Sequence, residues 1–200
     1  MALVLRKKIN SAERGFTMLE MLVVTAIVLI MSGIIIAYIP QFRDRSSLDL
    51  VAQEMALNIR SAQAFASGGR VGGSIDSFAG AIPSYGISLS AGEDPNFFMF
   101  TDEDNSKDFD GEIDKLFEGY DLQGIYVDNF RFNEESSVST EGDLYIVYTR
   151  PRLQAYICYN RECGDTFNQV EITIRGGRSE TTRTIRVHNN GQISILPTSQ

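Results

Sequence analysis

An uncharged apolar run near the N-terminus constrains this chain more than any other feature. Twenty-two residues without a formal charge stand between Met21 and Phe42. A helix rises about 1.5 Å per residue, so this run is long enough to cross the hydrocarbon core of a bilayer. The carboxylate of Glu20 lies at the start of the run, where an unpaired charge costs on the order of 2.5 to 3.5 kcal/mol. Something must therefore offset that cost.

The residues before the run predict its orientation. They carry four basic side chains and one acidic one: Arg6, Lys7, Lys8, Arg14 and Glu13. This bias keeps the N-terminus cytoplasmic, so the chain after Pro40 lies outside the membrane. A secretory signal peptide would end in a small-x-small cleavage site. Residues 36–42 read Ile-Ala-Tyr-Ile-Pro-Gln-Phe and lack such a site. A plain signal anchor is the alternative.

The segment Gly-Phe-Thr-Met-Leu-Glu-Met-Leu-Val at residues 15–23 resembles the N-terminal signature of type IV prepilins and type II secretion pseudopilins. The resemblance implies that a prepilin peptidase cleaves after Gly15 and methylates the new N-terminus, Phe16. It also implies that Glu20 pairs with the terminal amine of a neighbouring subunit during assembly. Such an ion pair would neutralise both charges and set the register between adjacent helices.

The resemblance implies a structural role. The first hypothesis is a subunit of a type IV pilus or a type II secretion pseudopilus, anchored by one pass in the bacterial cytoplasmic membrane and drawn into an extracytoplasmic filament. Its partners would be other pilin or pseudopilin subunits, the peptidase and assembly-platform proteins. Two alternatives stay open: a minor tip subunit that binds DNA or a secreted protein, and an anchored protein that never polymerises.

Composition argues against several other functions. The chain has 18 basic and 26 acidic residues, so removal of the leader, with its four basic and one acidic side chains, leaves a net charge of -11. Such a surface does not suit a general binder of nucleic acid or anionic lipid. His188 is the single histidine, and no serine stands in a Gly-x-Ser-x-Gly elbow. We therefore expect no enzyme activity and no required cofactor.

The pattern along the chain predicts four segments. These are a leader at 1–15, a transmembrane and assembly helix at 16–42, an amphipathic helix at 43–67 and a β-rich exoplasmic domain at 68–200. The amphipathic helix shows apolar residues at three- and four-residue spacing. They are Leu48, Val51, Ala52, Met55, Ile59, Ala62 and Phe65. One face of this helix should pack on the remainder of the domain, and the pairs Gly68-Gly69 and Gly72-Gly73 should end it.

Short aromatic and β-branched runs in the last segment predict strands. They are Tyr85 to Leu89, Phe97 to Thr101, Ile125 to Phe132, Leu144 to Thr149, Ala155 to Tyr159, Val170 to Arg175, Thr182 to His188 and Gln192 to Leu196. The last two are joined by Asn189-Asn190-Gly191, a strong hairpin turn. The prediction is an α+β, pilin-like fold with the helix on antiparallel sheet. The final hairpin also resembles, more loosely, that of minor pseudopilins of the GspH and FimT type.

Two cysteines, Cys158 and Cys163, stand five residues apart. A pair with one histidine in the whole chain is a poor zinc site, because zinc normally takes four ligands. Outside the cytoplasm the pair is expected to form a disulfide, with reduced thiols as the alternative.

An acidic loop concentrates oxygen ligands. Its candidate calcium ligands are Asp102, Asp104, Ser106, Asp108, Asp110 and Glu112. Their alternate spacing resembles that of calcium loops, but Lys107 stands where such loops need glycine, and position twelve is Ile113. A weak calcium site and a solvated acidic loop therefore both remain open.

A basic stretch near the C-terminus stands out in an acidic protein. It contains Arg175, Arg178, Arg183 and Arg186, with Glu180 as the one acidic residue. Arg175 and Arg186 should face solvent, because their strand neighbours occupy the core face. The stretch is either a weak phosphate-binding patch, as in DNA uptake, or a row that pairs with nearby carboxylates at a subunit contact.

Overall fold

The computed structural model describes residues 15–68, 83–92, 95–122, 124–133, 138–150, 154–163, 167–176 and 181–196, apart from the side chains of Pro40 and Gln41. The chain divides into two units, Met1–Pro40 and Gln41–Gln200. The division falls close to the predicted end of the membrane run. The leader before Gly15 lies outside the described residues.

A single long helix, α1, spans Met18–Gly68. Thr17 is the N-cap of this helix. Its hydroxyl accepts a hydrogen bond from the backbone N–H of Glu20, three residues later, at 3.2 Å. The helix ends at the predicted glycine. There the Arg150 guanidinium donates to the carbonyl of Ala66 at 2.6 Å and to that of Ser67, so it satisfies carbonyls that the last turn leaves without helical partners.

The part of α1 within the second unit is amphipathic, as predicted. Its buried residues are Leu48, Val51, Ala52, Met55, Ala56, Ile59, Ala62 and Ala66. They recur at three- and four-residue spacing, and they pack on both sheets of this unit in one hydrophobic core.

Eleven strands are described in the second unit. They are β1 Ser84–Ala91, β2 Phe97–Asp102, β3 Lys115–Tyr120, β4 Ile125–Phe132, β5 Val138–Ser139, β6 Gly142–Tyr148, β7 Ala155–Tyr159, β8 Glu162–Cys163, β9 Gln169–Gly176, β10 Thr182–His188 and β11 Ile193–Leu196. All eight predicted strands are present within two residues at either end. The sequence missed β3, β5 and β8. The sequence did not indicate β3, because it contains Lys115, Glu118 and Gly119, and charged residues and glycine are depleted in strands.

The strands form two antiparallel sheets. The first, sheet A, has the order β3-β2-β1-β6-β7-β8, and the second, sheet B, has the order β11-β10-β9-β4-β5. This confirms the α+β prediction. The predicted hairpin between β10 and β11 is also present, with Gly191 at a φ of 83°, the left-handed region that glycine tolerates.

Two arginines fasten the buried part of α1 to sheet B. Arg183 of β10 donates to the carboxylate of Asp49 on the helix, and Arg60 of the helix donates to the carbonyl of Ile193 at 3.3 Å. The helix and the sheet therefore share polar contacts as well as the apolar core.

A second, smaller apolar cluster lies on the opposite face of sheet A. Phe100, Tyr145, Val147 and Cys158 are buried there, with Phe98 and Phe109 packed against them. Gly86 of β1 makes room for this cluster, because a Cβ added there would stand 2.5 Å from the Phe100 ring. Phe109 belongs to the acidic loop, so the loop is held against the sheet.

Candidate functional site

The predicted membrane and assembly segment has no covering within the described residues. Eighteen large apolar side chains from Phe16 to Phe42 are exposed. The most apolar eighteen-residue window of α1 has a mean hydropathy of 2.8, and none of it is buried. The helix is thus long and apolar enough to cross a membrane.

Glu20 lies in the first turn of α1. A carboxylate there interacts favourably with the positive end of the helix dipole. Glu20 is exposed, and no basic side chain among the described residues forms an ion pair with it. The Glu20 carboxylate is therefore accessible on the surface of the helix.

The predicted disulfide is confirmed. Cys158 of β7 and Cys163 of β8 are bonded across a tight hairpin. Asn160 and Arg161 form its turn with φ values of 47° and 68°. The sulfur of Cys158 is buried in the cluster on sheet A, so the bond ties this hairpin to the surface under the acidic loop.

The acidic loop folds around buried carboxylates. Asp102 is fully buried at the end of β2 and accepts hydrogen bonds from the backbone N–H groups of Ser106, at 3.1 Å, and Lys107, at 3.2 Å. Lys107 adopts a φ of 70°, so lysine takes the left-handed conformation for which glycine was expected. The Lys107 ammonium lies 4.2 Å from the centroid of the Tyr156 ring, directed at an aromatic face.

The carboxylates that converge differ from the predicted calcium set. Carboxylate oxygens of Asp102, Asp104 and Asp114 lie within 4.8 Å of one another. Asp114 is buried and was not predicted. Its oxygens accept hydrogen bonds from the N–H groups of Glu103, at 3.0 Å, and Asp110, at 2.9 Å. No local signal in the sequence marked it, because strand β3, which it precedes, was missed as well.

The remaining predicted ligands have other surroundings. The Asp108 carboxylate lies 3.6 Å from the Arg161 guanidinium in the disulfide hairpin. The Asp110 carboxylate accepts from the N–H of Glu112 at 2.9 Å. Ser106 contributes its N–H to Asp104 at 2.9 Å as well as to Asp102. The acidic members Asp108, Asp110 and Glu112 are not part of the converging group, and a calcium site stays a prediction.

Burial separates the pKa values within this loop. Burial raises the pKa of Asp102 to about 7, and the neighbouring Asp114 carboxylate adds to the rise. Burial also raises the pKa of Asp114. Hydrogen bonds from Ser106 lower the pKa of the exposed Asp104. The loop is therefore more than a solvated acidic segment, because the carboxyl groups of Asp102 and Asp114 are buried.

Three of the four predicted basic-patch arginines have carboxylate partners in the chain itself. Arg175 lies 3.5 Å from Asp128, Arg183 contacts Asp49, and Arg186 donates to Glu171 at 2.9 Å. Arg178 lies outside the described residues. Arg175 and Arg186 are on the solvent side of β9 and β10, as predicted. Because these charges are paired, the pattern favours the ion-pair interpretation over phosphate binding.

Residues 10–36 match the family model described as the prokaryotic N-terminal methylation motif. The matched range contains the Gly15-Phe16 bond and Glu20, and it confirms the prepilin-type signature predicted from the sequence. No curated protein and no solved structure matches the chain. The looser resemblance to GspH and FimT pseudopilins stays a prediction.

Proposed function

From the methylation motif and the uncovered apolar helix, we propose that the chain is a prepilin-like structural subunit. It is cleaved between Gly15 and Phe16, methylated at Phe16 and assembled into a type IV pilus or a type II secretion pseudopilus. The observation that carries the proposal is the match at residues 10–36, which continues from Met18 into a helix whose apolar side chains have no covering in the described chain.

The physics of assembly follows from the two environments of α1. In the membrane, lipid covers the apolar run. In a filament, other copies of the helix cover it, so extraction exchanges one apolar contact for another at little cost. Glu20 remains the costly group in both places. Its pairing with the amine of Phe16 in a neighbouring copy neutralises two charges in apolar surroundings.

Localisation follows from the same features. The basic leader keeps the N-terminus in the cytoplasm, and the disulfide is stable on the oxidising side of the membrane. The β-rich unit is therefore exoplasmic. The two alternatives differ at the last step: a tip subunit would be rare in the filament, and a non-polymerising anchor would be missing from it.

The decisive test is the mass of the mature chain. Protein from membranes or sheared filaments should lack residues 1–15 and carry one added methyl group. Replacing Gly15 by valine should block cleavage because a bulky residue then stands at the cut bond. Gly33→Val is the matched control, since a Cβ at Gly33 also meets no atom within 4 Å. A mature chain that begins elsewhere would refute the proposal.

A further inference from the structure

The disulfide hairpin contacts the acidic loop at one residue, Lys107. The Cys163 sulfur lies 3.7 Å from the carbonyl oxygen of Lys107. The backbone N–H of the same residue donates to the buried carboxylate of Asp102 at 3.2 Å. Its ammonium lies 4.2 Å from the centroid of the Tyr156 ring, on the strand that also carries Cys158. Lys107 is therefore held between a buried carboxylate of the loop and the hairpin.

The backbone of Lys107 depends on its surroundings. Its φ of 70° is in the left-handed region, which residues other than glycine rarely adopt. Asn105, two residues earlier, also has a positive φ, of 60°. Such conformations persist only where neighbouring groups hold them in place. The contact with Cys163 is thus one of the interactions that determine how the loop turns.

The disulfide holds Cys163 in position more than the strand pairing does. Strand β8 has only two residues, and both are paired with β7. Strands of globular proteins are usually about three to ten residues long. The turn before β8 has an anchor of its own, because Asn160 donates its backbone N–H to the carbonyl of Asp143 at 2.9 Å. Loss of the bond should therefore free Cys163 while the turn stays in place.

Two further contacts join the loop to the same face of sheet A. The centroid of the Phe109 ring lies 4.9 Å from that of Phe98 and 5.4 Å from that of Phe100. The Asp108 carboxylate lies 3.6 Å from the guanidinium of Arg161, whose side chain is 75% exposed. An ion pair this exposed contributes little, so the aromatic contact is the stronger of the two. The loop should therefore loosen, and not detach, when the bond opens.

We propose that the Cys158–Cys163 bond is a redox switch for the conformation of the acidic loop and acts through Lys107. With the bond intact, Cys163 supports the carbonyl side of Lys107, and the N–H of Lys107 stays on Asp102. With the bond open, this support is lost, and the loop opens locally around Lys107. The bond thereby controls how firmly the loop covers the Asp102 carboxylate. The proposal concerns the second unit alone and does not depend on filament assembly.

A dithiol reductant can open the bond by thiol–disulfide exchange. Cys163 is exposed and Cys158 is fully buried, so a thiolate of the reductant attacks the Cys163 sulfur. The bond between the two cysteines breaks, and Cys158 leaves as a thiolate that takes up a proton. The second thiol of the reductant then displaces Cys163, which is protonated in turn. Two protein thiols form, and the reductant is oxidised to a disulfide.

Hydrogen exchange of the full chain in detergent tests the switch. The amides to follow are those of Ser106 and Lys107, because both donate to the Asp102 carboxylate. In the double variant Cys158→Ser, Cys163→Ser they should exchange about tenfold faster than in the oxidised wild type, since local opening becomes easier. Wild type reduced with dithiothreitol should give the same result. Unchanged exchange at these two amides would overturn the proposal.

The turn between β10 and β11 on sheet B provides the control. The Gly191 amide closes this turn by donating to the carbonyl of His188 at 2.9 Å, so it also exchanges by local opening. Its exchange should change by less than about twofold in the double variant. Equal acceleration at Gly191 and Lys107 would show that the bond acts on the whole unit, and the proposal would be wrong.

The reciprocal measurement changes the loop and follows the bond. If the bond orders the loop, then loosening the loop must favour reduction of the bond by the same coupling free energy. Phe109→Ala removes the aromatic contact, so the equilibrium constant for reduction in dithiothreitol buffers should rise about threefold or more. Phe117→Ala is the matched control, because Phe117 packs against Phe65 and Tyr85 instead. Thiol labelling at equilibrium measures both, and equal constants in the two variants would contradict the coupling.

Discussion

The two ends of α1 have the same helical backbone conformation, but their apolar side chains are exposed at one end and buried at the other. From Phe16 to Phe42 the large apolar side chains are exposed, whereas one face of the helix between Leu48 and Ala66 lies in the core of the second unit. Burying one such side chain is worth about 1.5–3 kcal/mol, so leaving eighteen of them in water would cost tens of kcal/mol. Helix formation is thus shared by both ends, whereas among the described residues only the C-terminal end has apolar partners in its own chain.

The largest effect should come from removing the charge at the exposed end of α1. Glu20→Val should be cleaved and inserted normally but be missing from sheared filaments, because no carboxylate then pairs with the amine of the next copy. Immunoblots of membrane and filament fractions give the measurement. Thr25→Val is the matched control, and it should assemble. Normal incorporation of Glu20→Val would show that register is set in another way.

Truncation of one side chain on each face of the buried end gives the next largest effect. Ile59 is fully buried, so Ile59→Ala should lower the free energy of unfolding by about 2–5 kcal/mol. Leu57 is 58% exposed, and Leu57→Ala should change the free energy of unfolding by less than about 0.5 kcal/mol. Denaturant unfolding of the full chain in detergent measures both. Similar losses would contradict the assigned packing face.

The disulfide should affect the second unit alone. Replacing both Cys158 and Cys163 by alanine opens a loop of six residues, which costs about 2 kcal/mol in the chain-entropy model. Cleavage at Gly15-Phe16 should be unaffected. Chemical unfolding of the variant and thiol labelling of the unreduced wild type provide the measurements. Full labelling of the folded wild type would contradict the bond.

The stability of the second unit should also depend on pH. The pKa of Asp102 is about 7 when folded and near its ordinary 3.8 when unfolded. The folded state therefore binds more protons between these values, and stability should fall as pH rises from about 4 to about 7. Asp102→Asn should flatten this dependence, and an unchanged slope in that variant would exclude Asp102 as its source.

Calcium should give the smallest effect. If the loop binds calcium with a Kd near ~1 mM, then about 5 mM calcium stabilises the second unit by about 1 kcal/mol. Thermal melting of the full chain in detergent measures the shift. Asp104→Ala should abolish it if the converging trio is the site, whereas Glu112→Ala should abolish it only if the predicted ligand set is right. No shift in the wild type would leave a loop without a cation site.

Local patterns explain why much of the fold could be predicted from the sequence. Alternation in β9 and β10, the turn at Gly191 and the helical spacing from Leu48 onward each involve neighbouring residues. The methylation signature is likewise contiguous.

The missed features depend on distant partners. Strand β3 forms because β2 offers it an edge, in spite of its charged residues. Asp114 joins Asp102 only after the chain has turned through the loop. The pair between Arg183 and Asp49 spans 134 residues and has no local signal.

The three arginine contacts on α1 also have a mechanical consequence. Arg183 holds Asp49, Arg60 reaches the carbonyl of Ile193, and Arg150 binds the carbonyls at the last turn. A pull along the helix axis, as in extraction from a membrane, would load these contacts in shear together with the apolar core. The force would then be divided among β10, β11 and the segment after β6 instead of concentrating at one turn of the helix.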